Sequence, residues 1–408
     1  MALVKEIRYL FLAHGINVAI PLLLIPLLAH RLGIDGFGHF VILTGSSIYL
    51  AYSIELGLNN IAIQRFTQGN HDDRCKVFTS ILIIKCVLLA IVFPIGMTIY
   101  TRLLHTWGAD VRLAWFCMLP VVTCLSYPAW FFIVENKQKV NFQVQTLTKF
   151  FLLACICFFV HTPDDVATAV IIYSSAAFLA SLAFCGHWLR YIDIRALPDA
   201  AQLSGLALAG AKASGLAIRD AWSSNGIAPL LGLIIHTQQI ADFALAEKMI
   251  RALAVPASSF GSIILANHKK FQDFFATKTS HMRIAIVVLL VAYAVSAVLV
   301  SKGAKRFFPQ YEHVALLFTA MLISVPFIYA NYTLLNLKYI RRQKYIALTG
   351  FISLQCMCVF VLTLFFAGQD SWFLAAISMS SVEIVAFFYM LFFSDRRKRR
   401  VDSPIDAY

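Results

Sequence analysis

The chain has 408 residues, 60% of them hydrophobic and only 13% charged, with a formal net charge of +13. Soluble domains carry roughly 25% charged residues, so this composition excludes one and points to an all-α polytopic membrane protein. A transmembrane β-barrel would need alternating segments of about ten residues, which the chain lacks. The positive charge calls for no nucleic acid, because cytoplasmic loops of membrane proteins collect Lys and Arg.

Apolar stretches long enough to cross the roughly 30 Å hydrocarbon core are expected at residues 8–29, 39–63, 77–100, 113–134, 145–161 and 167–187 in the first half. The second half continues with 210–235, 241–266, 283–301, 313–336, 345–367 and 372–394. Lys5 and Arg8 precede the first stretch and no small-residue cleavage signature follows it, so it reads as a retained helix. His14 and Asn17 are its polar side chains, and Pro21 and Pro26 predict that it is bent. Glu55 sits deep in the second stretch and Lys85 in the third, where the ammonium is expected to snorkel to the interface.

Loop charges fix an orientation. One side of the membrane receives only Arg31, Arg102, Arg112, Lys302, Lys305 and Arg306, and every other loop or tail Lys and Arg falls on the opposite side. The positive-inside rule then puts both termini in the cytoplasm. Arg396, Arg397, Lys398, Arg399 and Arg400 read as a topological anchor that could also touch anionic lipid. The nine cysteines fall mostly in apolar runs; Cys155-x-Cys157 and Cys356-x-Cys358 lack further ligands, so no metal site is expected.

The stretch from Lys212 to Arg251 stands apart. Two spans here carry Arg219, Asp220, Glu247, Lys248 and Arg251. Each such residue facing lipid at the centre of a helix costs about 2.5–3.5 kcal/mol, against about 0.3–0.6 returned by each Leu, Ile, Phe or Val. These side chains must therefore face protein or water. Glu247, Lys248 and Arg251 share one helix face by spacing, and Lys212, Arg219 and Ser223 another. A net-basic cavity of this kind suits an anionic cargo. Trp222, Ser223, Ser224 and Asn225 are candidates to touch its polar parts. Asp220, Glu247, Glu55 and Glu383 are candidates to balance the charge or to exchange a coupling ion.

An internal repeat is visible. Asn17-x-x-x-Pro21-Leu22-Leu23 recurs as Asn225-x-x-x-Pro229-Leu230-Leu231, Ile34-x-x-Phe37 as Ile240-x-x-Phe243, and Phe66 as Phe271. The offset is nearly constant, which predicts two six-helix bundles, residues 1–200 and 201–394, with a basic tail at 395–408. Six is even, so the halves are expected as parallel repeats about a pseudo-two-fold along the membrane normal. No phosphate-cradling loop, paired metal-ligand spacing or nucleophile elbow is present. The chain is therefore read as a transporter and not an enzyme. A glycan polymerase, the rival from another class, generally needs a long external loop.

The opening run Asn-x-x-x-Pro-Leu-Leu-Leu-Ile-Pro-Leu-Leu-Ala-His-Arg-Leu-Gly-Ile-Asp-Gly-Phe-Gly, residues 17–38, resembles the polysaccharide-biosynthesis flippases called Wzx. These belong to the multidrug/oligosaccharidyl-lipid/polysaccharide exporter superfamily. Phe243-Ala-Leu-Ala-Glu-Lys is similar to the second-half counterpart. The resemblance implies translocation of undecaprenyl-diphosphate-linked oligosaccharide to the periplasmic leaflet of the inner membrane by alternating access. It implies a cationic cavity, with Arg219, Lys248 and Arg251 on the diphosphate and His14, Asn17, Trp222, Ser223 and Asn225 beside the cargo. No cofactor is expected beyond H+ or Na+ as coupling ion. A polysaccharide polymerase and a chain-length regulator are the expected protein partners. A multidrug or metabolite antiporter of the same superfamily is the nearest alternative, and it would want an acidic cavity. One departure is plain: the first span carries no buried Arg or Lys, so the cationic duty falls on the second half.

Overall fold

The computed structural model describes residues 2–68, 71–135, 137–192, 198–234, 239–266, 310–311, 313–335 and 345–392. Among them the chain is helical, with no strand. In chain order the helices are α1 (Ala2–Glu55), α2 (Leu58–Gln68), α3 (His71–Thr106), α4 (Leu113–Ser126), α5 (Ala129–Val134), α6 (Gln138–Phe159) and α7 (Val166–Trp188). The second half contributes α8 (Ala200–Lys212), α9 (Ser214–Asn225), α10 (Ala228–Gly232) and α11 (Gln239–Ala266). It continues with α12 (Val314–Leu322), α13 (Ser324–Leu335), α14 (Tyr345–Ala367) and α15 (Trp372–Phe392). The expected span at 283–301 and the tail at 395–408 lie outside the described residues.

Eight stretches among the described residues are long and apolar enough to cross a membrane. Large apolar side chains such as Leu147, Phe158, Leu179 and Val385 lie exposed on the outer surface. A bilayer can cover such a surface and water cannot. The fold is that of a multi-pass helical membrane protein.

The first expected span and most of the second run together as α1, while the end of the second span falls in α2. Helix α1 leaves helical φ/ψ at Gly33, with φ +68° and ψ −174°. An L-residue with a side chain is strained there, so glycine is the residue that fits. The surrounding motif acquires a physical reason residue by residue. Arg31 reaches across to the C-terminus of α6, where its Nη1 donates to the carbonyls of Ile156, Cys157 and Val160 at 3.1, 2.8 and 2.6 Å. The Ile156 carbonyl also accepts from the Val160 N–H at 3.2 Å, and all three lie at the last turn of α6, where a cation meets the negative end of the helix dipole. Gly36 abuts the start of α7, Phe37 is buried edge-on against Tyr311, and Gly38 faces Ala241. Tyr311 donates to the carbonyls of Ala29 and Gly33, both at 3.0 Å, which satisfies the turn opened at the kink.

Beyond the kink, α1 runs along α10 and α11 and joins the two halves of the chain. The seam is made of small residues. A Cβ at Gly45 would collide with the Pro229 ring, and one at Gly232 with Ile42. With no hydrophobic drive between helices in lipid, close approach of small residues is what holds such an interface. The repeat therefore matters structurally: Phe37 and Phe243, its matched aromatics, are both buried beside this seam. A separate aromatic cluster of Phe66, Phe78, Trp130, Phe131, Trp188 and Tyr191 packs α2, α3, α5 and the end of α7 together, and Leu206 of α8 joins it.

The seventh expected span differs most from a simple helix. It is broken into α8, α9 and α10, with Gly226 at φ +72° between the last two. Its first-half counterpart stays helical through Pro21 and Pro26. The tenth span is likewise split, at Ile323, and the fourth at Tyr127 and Pro128.

Candidate functional site

Breaking a helix inside a membrane leaves backbone groups that must find partners within the protein. Gly226 turns the chain out of α9 and exposes the N–H groups of Ile227 and Ala228. Glu247 of α11 takes both, its two carboxylate oxygens accepting them at 2.8 Å each. The Tyr49 hydroxyl of α1 donates to the carbonyl of Gly226 on the same turn. Glu247 is fully buried, and one helical turn further on Arg251 pairs with it at 3.3 Å. A Cβ at position 226 would strike the carboxylate, so glycine is required here for space as well as for φ.

Arg251 leads from this cap into a polar chamber. Its Nε has no hydrogen-bond partner among the described residues, and neither has Nη2 of Arg219. Both side chains are buried, at 3% and 9% exposure, and both line one cavity of about 40 Å³ with Trp222, Asn331, Tyr332, Gln355 and Glu383. The Arg219 guanidinium lies over the Tyr332 ring at 3.4 Å, and that of Arg251 over Trp222 at 5.7 Å. Such stacking lowers the cost of keeping a cation out of water. Glu383 accepts from Asn331 Nδ2 at 2.8 Å and lies within electrostatic reach of both arginines. An unsatisfied buried donor costs about 1–3 kcal/mol, and more when charged, so the free guanidinium N–H groups are places where an acceptor is missing. The cavity admits a few waters and is too small for a diphosphate as it stands.

The candidates read from sequence separate in space. Arg219, Arg251, Trp222 and Glu383 come together. Glu247 is spent on the helix break and the ion pair. Lys248 is half-buried and does not line this cavity. Asn225 is buried at the end of α9, its Nδ2 reaching the Ala221 carbonyl at 3.4 Å. Glu55 lies elsewhere, in a first-half cavity of about 550 Å³. The side chains of His14, Asn17, Asp220, Ser223 and Ser224 lie outside the described residues. Lys85 does not snorkel: it is 3% exposed and turns inward, donating to Asn59 Oδ1 at 3.3 Å and the Cys124 carbonyl at 3.2 Å. Packing of α3 against α4 and α2 offers those acceptors closer than the interface does.

Sequence reasoning passed over Asn331, Tyr332 and Gln355. Their signal was available, since two carboxamides within apolar runs need partners as much as charges do. Lys149, counted among the loop charges although it falls inside the expected span at 145–161, is carried into the first-half cavity by α6, which starts at Gln138.

Residues 3–265 match the model of a family described as polysaccharide biosynthesis protein. The chain belongs to this family. A relative from Escherichia coli (strain K12), named provisionally as an O-antigen transporter, is 28% identical over 184 residues, or 45% of this chain and 44% of that protein. The aligned part thus spans less than half the length of that relative. Among solved structures, a MATE transporter of Vibrio cholerae superposes with a TM-score of 0.58 at 11% identity, covering 96% of each chain. A multidrug resistance MATE family transporter of the MOP superfamily, in an outward-facing conformation, gives 0.55 at 13%, covering 96% of this chain and 94% of its own. At such identities these likenesses establish the fold alone. The family resemblance read from residues 17–38 and the helical, two-bundle architecture are borne out at that level.

Proposed function

We propose that this member of the polysaccharide biosynthesis family is a flippase that carries an undecaprenyl-diphosphate-linked oligosaccharide, of the O-antigen type, from the cytoplasmic to the periplasmic leaflet of the inner membrane. The observation that supports this most is the pair of buried guanidiniums, Arg219 and Arg251, facing one cavity with N–H groups left unpaired among the described residues. Arginine's rigid fork of donors matches phosphate oxygens and gives charge-assisted hydrogen bonds. Glu383 stands in for the cargo's charge while the site is empty, and Arg251 stays anchored by Glu247.

Alternating access follows as a working scheme. By the loop charges, the Gly33 kink of α1 faces the periplasm and both termini face the cytoplasm. At that end α1 lies flush on α10 and α11 through Gly38, Gly45 and Gly232. In this scheme that side is the closed one. Opening it, or parting α13 from α9, makes room for a diphosphate at Arg219. A coupling ion, H+ or Na+, has Glu383 as its nearest candidate.

The shared fold also suggests a cation-exporting multidrug antiporter. Two arginines in the cavity disfavour a cationic drug, so the anionic cargo is the better reading. Complementation separates the two. Expressed in a strain lacking its own O-antigen flippase, the chain is expected to restore surface glycan. Restored drug resistance in an efflux-deficient strain, without surface glycan, overturns the reading.

A further inference from the structure

A cavity large enough for sugar rings lies apart from the arginine chamber. It lies wholly within the first half, between the second part of α1 and α4, α6 and α7, with a volume of about 550 Å³. That is within the roughly 300–1,000 Å³ of ordinary ligand sites, and more than ten times the chamber at Arg219. Its chemistry is unusual for a membrane interior. Tyr52, Tyr127 and Tyr173 line it together with Glu55, Lys149 and Asn59.

Three features bear on the occupant. First, Glu55 and Lys149 make no ion pair with a described residue although they line the same cavity. Intramembrane charges without partners need water or the polar groups of a ligand. Second, the lining itself carries one carboxylate and one ammonium, with the Lys85 ammonium spent behind it on Asn59 and Cys124; a neutral molecule with many hydroxyls satisfies both lining charges. Third, the polar wall is built rather than incidental. Lys85 takes the Asn59 carbonyl oxygen, which leaves the amide N–H as what Asn59 can offer the cavity. Gln145 Nε2 donates to the Tyr127 hydroxyl at 2.6 Å and to Asn141 Oδ1 at 2.9 Å, and Tyr127 donates to Asn141, so that ring is held in place. Pyranose rings have a hydroxyl rim and apolar faces. Aromatic rings set among amides, an acid and a base are complementary to both.

We infer that the first-half cavity is a saccharide-binding site that holds neutral sugar residues of the cargo, apart from the diphosphate held by the second half. The division of labour rests on the flippase reading; the saccharide site stands on the cavity's own chemistry. It would explain why the first span needs no arginine.

The test uses the full-length protein, purified in a detergent with no sugar headgroup, and free glucose, N-acetylglucosamine and glucuronate as probes in saturation-transfer NMR. A neutral sugar is expected to bind in preference to glucuronate. Its affinity is expected to fall at least tenfold in Ala177→Phe, which fills the cavity, and in Tyr52→Ala, while Arg219→Ala binds it as the parent does. Absence of binding by the neutral sugars in the parent protein, or equal binding in the cavity variants, overturns the inference. The two ideas fail separately. If the parent protein fails to restore surface glycan while sugar binding tracks the cavity variants, the flippase reading falls and the saccharide site stands. If sugars do not bind but Arg219→Ala abolishes export, the reverse holds.

Discussion

Replacing Arg219 by Ala is expected to cut surface glycan in the complementation assay by tenfold to a hundredfold, with the protein still present in the membrane. Hydrogen bonds to a charged group contribute roughly 1.5–3 kcal/mol, and each 1.4 kcal/mol is a factor of ten. Arg219 is the cleaner of the two arginines to test. Its guanidinium is stacked on Tyr332 and makes no ion pair with a described residue, so removing it breaks none, and Glu383 keeps Asn331 and Arg251 beside it. Arg251→Ala, by contrast, unpairs Glu247 and confounds cargo binding with folding. Arg219→Lys keeps the charge but loses the planar fork and the stack, and should recover only part of the activity. Normal glycan in Arg219→Ala, at normal protein level, removes Arg219 from the cargo site.

The second large effect concerns the fold around the break in the seventh span. Glu247→Ala is expected to destabilise the protein by about 3–5 kcal/mol, the usual cost of breaking a buried ion pair by removing one member. The two backbone N–H groups of Ile227 and Ala228 would be orphaned as well. Gly226→Ala attacks the same joint from the other side. It places a side chain at φ +72°, a strain of roughly 1–3 kcal/mol, and drives a methyl into the carboxylate. Glu247→Gln keeps the shape and one acceptor and should fall between these and the parent. Thermal melting of the purified protein reads the series. A melting point for Glu247→Ala within a degree or two of the parent contradicts the capping role and returns Glu247 to the list of free cavity acids.

Much of this architecture is legible from composition. Hydrophobic length finds the spans because lipid leaves no other way to satisfy a backbone. Intramembrane cost singles out Arg219, Arg251 and Glu383, which do converge. What hydropathy does not carry is where a helix stops. Residues 30–38 look like a polar connector, yet only Gly33 leaves helical geometry, because Arg31 and Tyr311 satisfy the turn through distant partners. The break at Gly226 is similarly tertiary: an Asn-Gly pair is a weak signal until Glu247, twenty residues on, supplies the cap. Lys149 falls inside the expected span at 145–161 but close to its edge, and α6 begins several residues earlier, at Gln138. Charged residues near span edges are assigned to loops by default, and only packing shows which of them turn inward.

The central claim is movement of a lipid diphosphate saccharide through this chain. The direct measurement is reconstitution into liposomes with a fluorescent polyprenyl-diphosphate-linked sugar in both leaflets, followed by a membrane-impermeant quencher. Vesicles holding the parent protein should lose fluorescence beyond the outer-leaflet half, whereas protein-free vesicles and those with Arg219→Ala stop there. Quenching that stops at the outer leaflet with the parent protein, correctly folded and inserted, contradicts the account.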